Sequence, residues 1–194
     1  MSSRLLRLLL VSMKEDMDVL RVLGRLLSTV YVNAEVILAD EVLSPPLEAY
    51  DAARGQYRSE HILYLAAGLR EAAEADAVLV VAGIDAYADG LNFVFGEALL
   101  GRGAAVVYTP RLRPEFYGAP PSNELFMERL LKESMHELGH AFGLEHCSNP
   151  LCVMSFSNSI VEVDRKEAAY CTRCASRLRE KGVVVSPSRV LPGD

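Results

Sequence analysis

The eleven residues from His136 to His146 read His-Glu-Leu-Gly-His-Ala-Phe-Gly-Leu-Glu-His, and they restrict the possible folds more than any other stretch of this 194-residue chain. His136 and His140 are four apart. On a helix that spacing separates them by about 40° around the axis and about 6 Å along it, so two imidazoles can reach one ion. Glu137 follows the first histidine, which puts a carboxylate beside the metal without making it a ligand. Two helical histidines are half of a tetrahedral site, so a third ligand has to return to the ion. Gly143 permits the sharp turn that ends the helix and brings His146 back. Three neutral ligands leave one position to water, whose pKa zinc lowers to about 7. The segment is built for hydrolysis, with Glu137 as general base.

The competing reading is a set of ordinary helix histidines, and the count argues against it. The chain has 4 histidines, and three of them fall inside these eleven positions at the spacing the chemistry requires. The fourth, His61, stands beside Ile62 with no partner pattern and reads as a partly exposed helix residue. Met154 follows His146 by eight residues. Its position suits the methionine turn that underlies such a zinc; the alternative is a core filler.

All four cysteines come after His140, as Cys147, Cys152 and the Cys-x-x-Cys pair Cys171 and Cys174. Four thiolates satisfy zinc completely and leave no position for water, so such a site would staple the C-terminal segment to the turn at Met154. Oxidised pairs, Cys147 with Cys152 and Cys171 with Cys174, are the alternative arrangement.

Hydrophobic patterning supplies the frame. Arg4 to Val11 reads as a buried strand, Lys14 to Thr29 as a helix with Val19, Leu20, Leu23, Leu26 and Leu27 at helical spacing, and Ala34 to Leu38 as a second strand. Leu43 to Arg58 is loop-like, and Ser59 to Ala75 is a second helix. Ala77 to Ala82 is the strongest strand and is expected at the centre of the sheet. Gly90 to Gly96 and Ala104 to Tyr108 are expected to form an antiparallel pair, because no crossover helix fits between them. Pro110 to Pro121 is a loop leading to the caps Ser122 and Asn123 of a long helix that Gly143 stops. A short helix is expected to begin near Cys171, and the tail after Gly182 is expected to be partly disordered.

The 26 acidic residues outnumber the 20 basic ones, giving a net charge of −6, and the cations are scattered rather than gathered into a stripe. Nucleic acid is therefore not an expected partner. The apolar run Leu5 to Val11 is broken by Arg7 and followed by Lys14, Glu15 and Asp16. It cannot span a bilayer and lacks a cleavage site of the secretory kind, so no membrane partner and a cytoplasmic location are expected. Arg111, Arg113, Glu41, Glu97 and Glu115 read as solvated loop charges.

The order of the histidine motif, Cys147, Cys152, Met154 and the Cys171/Cys174 pair resembles the archaemetzincins, zinc metalloproteases of the metzincin clan. Sixteen residues separate Met154 from Cys171, about one fewer than in the family pattern. Upstream, Gly90 to Gly96 and Arg111 to Gly118 also look like segments of that family. The resemblance implies two Zn²⁺, one catalytic on His136, His140 and His146 and one structural on Cys147, Cys152, Cys171 and Cys174. It further implies Glu137 as base, Met154 in the turn, and Gly90 to Gly96 as the edge strand along a bound peptide. Phe156 stands where some other metzincin families carry a tyrosine able to reach the metal, so a four-coordinate resting zinc with one water is expected.

Together these readings give an α/β (α+β) chain with a single metzincin-like domain over residues 1–182. A part over 1–143 would hold a twisted mixed sheet with an antiparallel edge strand and the long active-site helix. A part over 144–182 would hold the turn and the zinc-stapled C-terminal segment, followed by a tail over 183–194. The expected activity is zinc-dependent hydrolysis of peptide bonds in a peptide or small amino-acid-derived substrate. Two alternatives are a zinc-binding protein with little or gated peptidase activity, and a zinc hydrolase of a small amide.

Overall fold

Why β1 (Leu6–Met13) and β5 (Ala77–Ala82) lie at the heart of the molecule follows from their composition, since both are nearly unbroken apolar runs that need cover on both faces. In the computed structural model, which describes residues 4–193, they are neighbours in a five-stranded sheet. The outermost residues of the expected domain and tail, 1–3 and 194, lie outside the described residues. Along the chain, β1 is followed by α1 (Met17–Val30), β2 (Ala34–Leu43), β3 (Tyr50–Asp51), β4 (Gln56–Arg58) and α2 (Ser59–Ala72). After β5 come β6 (Ala86–Tyr87), β7 (Gly96–Leu99), β8 (Ala104–Tyr108), α3 (Asn123–Ala141), α4 (Ile160–Arg165) and α5 (Thr172–Glu180).

The sheet order is β2-β1-β5-β8-β7, with every pair parallel except β7 on β8. Strand alternation sends Leu8, Leu10, Leu79, Val81, Ala105 and Val107 to one face, where α1 and α3 cover them with Leu20, Leu23, Leu27, Leu130 and Leu138. The intervening Val11, Val78, Val80, Ala104 and Val106 face α2, which offers Ile62, Leu63 and Ala66. Each of the fully buried leucines contributes roughly 1.5–3 kcal/mol relative to an exposed one. The result is a single α/β domain, as the patterning implied, with helices on both faces of the sheet. No helix among the described residues is long and apolar enough to cross a membrane.

Three expectations are corrected. The edge strand is β7, Gly96–Leu99, not Gly90 to Gly96; pairing runs from Leu99↔Ala104 to Gly96↔Val107, so the strand is the four residues nearest the Gly101–Gly103 turn. The carbonyls of Leu91 and Asn92 are meanwhile taken by the side chains of Arg54 and Gln56, which leaves no ladder for the earlier segment. Leu43 to Arg58 is not a plain loop, because β2 runs to Leu43 and β3, β4 and β6 form a small second sheet. The tail is packed rather than loose. Val183 and Val185 are buried, Val32 N–H donates to Val184 O and Ser186 N–H to Val30 O, and Leu191 N–H donates to Tyr170 O.

Helix α3 is fixed at both ends. Ser122 accepts from Leu125 N–H at its start. At its end Gly143 has φ +94°, its N–H donates to His140 O, and Leu144 N–H donates to Gly139 O, the two bonds of a Schellman motif. The β7–β8 turn adds a second tie, with Gly101 N–H donating to His140 O at 2.9 Å and Gly103 N–H to Ala141 O at 3.0 Å. A buried bolt joins the two halves of the chain. Tyr31 and Tyr170 share a hydrogen bond of 2.6 Å, and Tyr170 donates to Met135 O at 2.7 Å.

Candidate metal centres

On α3 the helical spacing brings His136 and His140 to one side, and the Gly143 turn returns His146 to them; their ligand atoms all lie within 4.8 Å of one another. The Nδ1 atom of His136 is 2.8 Å from Val153 O, and that of His140 is 2.7 Å from Leu144 O. Each Nδ1 must carry its proton to donate to a carbonyl, so each Nε2 presents a lone pair. Those two Nε2 atoms face each other at 3.1 Å. Two lone pairs at that separation repel unless a cation lies between them. Two nitrogens each about 2.0–2.1 Å from a tetrahedral zinc would be about 3.3 Å apart, so the donor set fits the metal. Burial, and then the cation of Lys166, hold His136 well below the ordinary imidazole range; burial comes first for His140 and His146 as well, and keeps them lowered. Neutral imidazole is the form that ligates.

Glu137 is 5% exposed and lines the same cleft. Burial, and then the neighbouring Glu133 carboxylate, push it well above the usual carboxylate range, while Lys166 pulls the other way. Its place is set by β7. A Cβ on Gly96 would sit 2.5 Å from Glu137 Cγ and 2.7 Å from its Oε1, so the edge strand can lie this close to the carboxylate only as glycine. Met154 is fully buried in the turn closed by Ser155 N–H donating to Cys152 O, and a Cβ on Gly139 would collide with its Sδ. The thioether therefore packs against the helix between His136 and His140. Phe156 stands edge-on to His146, with ring centroids 5.0 Å apart.

The four cysteines converge as a second set, all buried, with sulfurs within 4.8 Å of one another and none in a disulfide. Cys147 Sγ and Cys171 Sγ are 3.8 Å apart, and two thiolates each about 2.3 Å from a tetrahedral zinc would be about 3.8 Å apart. Cys152 is pulled down to about 5, first by a hydrogen bond with Cys174 and further by the backbone N–H groups of Cys171 and Met154. Arg173 Nη2 donates to Cys147 Sγ at 3.4 Å. Cys147 N–H donates to Met154 O, which links this cluster directly to the turn below the histidines.

Residues without a motif complete the site. Lys166, fully buried, forms an ion pair of 2.7 Å with buried Glu133, one turn before Glu137 on α3. Glu133 could be placed from its helical spacing, whereas Lys166 arrives from a separate element. Arg111 and Arg113 are not solvated charges. Arg111 is paired with Asp85, and Arg113 with buried Glu15 while stacking 4.0 Å from the ring centre of Phe126. Glu97 has one carboxylate oxygen buried without a hydrogen-bond partner, and its register opposite Val106 places it on the α2 face of the sheet. The cleft itself measures about 810 Å³, with the 90–100 segment on one side and α3, His146 and Phe156 on the other.

Residues 7–180 match the family described as Peptidase family M54. An archaemetzincin of Pyrococcus furiosus is 46% identical over 167 residues, covering 84% of this chain and 87% of that protein. The crystal structure of archaemetzincin from Methanopyrus kandleri superposes with a TM-score of 0.77 at 38% identity, covering 93% of this chain and 96% of that one. The crystal structure of a zinc-dependent peptidase from Methanocorpusculum labreanum gives a TM-score of 0.79 at 31% identity, covering 89% and 99%.

Proposed function

The chain belongs to peptidase family M54, the archaemetzincins, and is a zinc metallopeptidase; from that premise we propose that it hydrolyses peptide bonds with Glu137 as general base. The observation that carries this reading is the convergence of three neutral imidazoles beside a buried carboxylate that β7 keeps in place through Gly96. His136, His140 and His146 would hold the catalytic zinc. Zinc, when bound, supplies a Lewis acid that polarises a carbonyl oxygen and acidifies water.

Glu137 then has two tasks, taking a proton from the attacking water and passing it to the leaving amine. The carbonyls of Val153 and Leu144 orient the first two imidazoles through Nδ1, and Met154 supports the helix between them. On this reading β7, the last strand of the sheet, offers its open edge to an extended peptide through backbone hydrogen bonds. Cys147, Cys152, Cys171 and Cys174 would hold a second, structural zinc with no position left for water. The substrate is a peptide or a small amino-acid derivative.

The test is zinc stoichiometry on protein purified without chelator, together with cleavage of a peptide library. Two zincs per chain and defined cleavage products are expected. Absence of zinc would overturn the assignment of both centres, and two zincs with no product from any peptide would overturn the choice of substrate.

A further inference from the structure

The 91–95 segment forms one wall of the cleft but is not a strand of either sheet; its backbone is tied to them by Val94 N–H donating to Ala86 O in β6 and by Tyr108 N–H in β8 donating to Phe95 O. The rest of its support comes from side chains. Arg54 Nη2 donates to Leu91 O at 3.2 Å and to Asn92 O at 3.1 Å. Gln56 Nε2 donates to Asn92 O and to Asp85 Oδ2, both at 3.1 Å, and Gln56 Oε1 accepts from Arg54 Nε at 3.2 Å. Arg111 closes the network, with Nε and Nη2 forked onto Asp85 Oδ1 and Oδ2 at 2.6 and 2.8 Å. The same guanidinium lies 4.3 Å from the ring centre of Phe93, in the wall, and 4.8 Å from that of Phe116. Phe93 in turn meets Phe95 edge-on at 5.1 Å.

We infer that Arg111 is a positioning residue for substrate, fixing the 91–95 wall of the cleft through Asp85 and Phe93 and thereby setting the affinity for a peptide long enough to touch that wall. The inference rests on the peptidase reading above. Its physical basis is that a planar, always-charged fork can hold a carboxylate at two points while stacking on an aromatic ring, which a lysine ammonium cannot. The Arg111–Asp85 pair is about a fifth exposed on each side, so it is a partly shielded clamp rather than a solvated contact. No reacting atom is within the role assigned. The consequence is a change in binding, with the chemical step at Glu137 left intact.

The experiment compares wild type with Arg111→Met, Arg111→Lys and Asp85→Asn, using an eight-residue peptide selected from the library and a chromogenic dipeptide amide. Zinc content and amide hydrogen exchange are measured on the same samples. For Arg111→Met and Asp85→Asn, KM for the long peptide is expected to rise about tenfold or more with kcat little changed. The dipeptide amide should stay within about twofold of wild type, as should zinc content. Arg111→Lys should restore only a small part of the loss. The amides of Leu91 and Val94, which donate to Ala88 O and Ala86 O, should exchange faster in both variants while α3 keeps its protection. Equal losses on both substrates, or unchanged KM for the long peptide, would overturn the inference. If the wild type cleaves neither substrate, the peptidase reading fails by itself, and exchange still decides the wall: selective loss of protection at 91 and 94 supports the clamp, and unchanged protection rejects it.

Discussion

The two candidate metal sets of this chain, three histidines and four cysteines, are built on opposite principles. The histidine centre stands on structure that exists for other reasons: a nineteen-residue helix capped at both ends, hydrogen-bonded to a sheet turn, and packed on a buried apolar face. The cysteine centre stands on very little. Between Leu144 and Gly193 the regular elements are six-residue α4, nine-residue α5 and a short 3-10 turn, and the four cysteines sit among the buried apolar residues that join them. The first is a platform onto which a metal is placed; the second is a region whose own metal would hold it together. The two sets also differ in exposure, since the histidines grade from buried His136 through half-buried His140 to exposed His146, whereas every cysteine is buried.

Changes on the two sides should therefore differ in kind as well as in size. The largest effect is expected from Cys152→Ser, because structural zinc is associated with apparent binding energies of roughly 10 kcal/mol or more. Zinc content should fall by one per chain, and exchange protection should be lost over 147–178 while the five-stranded sheet keeps its own. Retained protection in that segment would break the comparison. Glu137→Ala should lower turnover by about 10²–10⁴-fold. Its melting temperature and zinc content should match wild type, and a fall in zinc would mean that the carboxylate is a ligand after all. Gly96→Ala should reduce turnover by about 10²-fold, because the new methyl displaces the base and leaves the histidines alone. Wild-type turnover in this variant would show that the carboxylate can work from elsewhere. Smallest is Tyr31→Phe, which removes one hydrogen bond of the buried bolt. It should cost about 1 kcal/mol in denaturant unfolding and leave turnover unchanged; a loss of activity would show that the halves communicate through Tyr170 and Met135.

Much of this was readable in advance because the chemistry is local in sequence. The residues of both candidate metal sets lie within forty positions, and helix α3 declares its start at Ser122 and its end at Gly143. Strand β5 runs from Ala77 to Ala82, as its composition implied. Where the reading failed, the deciding partner was remote. The apolar stretch around Phe93 has the composition of a strand, but Arg54 and Gln56, 36 to 38 residues before the carbonyls of Leu91 and Asn92, capture them. Arg111 reads as a loop charge until Asp85 and Phe93 are placed beside it. Gly96 carries no sign in the sequence that Glu137 will lie against it, and Lys166 none that it will be buried with Glu133. The tail looked loose because serines and prolines say nothing about the α1–β2 junction that receives it.

The turn between β7 and β8 is by appearance a surface loop, the kind of place where family members ordinarily gain or lose residues. Here its length is not free. The N–H groups of Gly101 and Gly103 satisfy the last carbonyls of the helix that carries the histidines, one of them the carbonyl of His140 itself. An inserted residue would withdraw those donors and slide Gly96 along Glu137. The evolutionary latitude of this protein should therefore lie in exposed loops such as 118–121, while the length of the 100–103 turn is held by the helix end it caps.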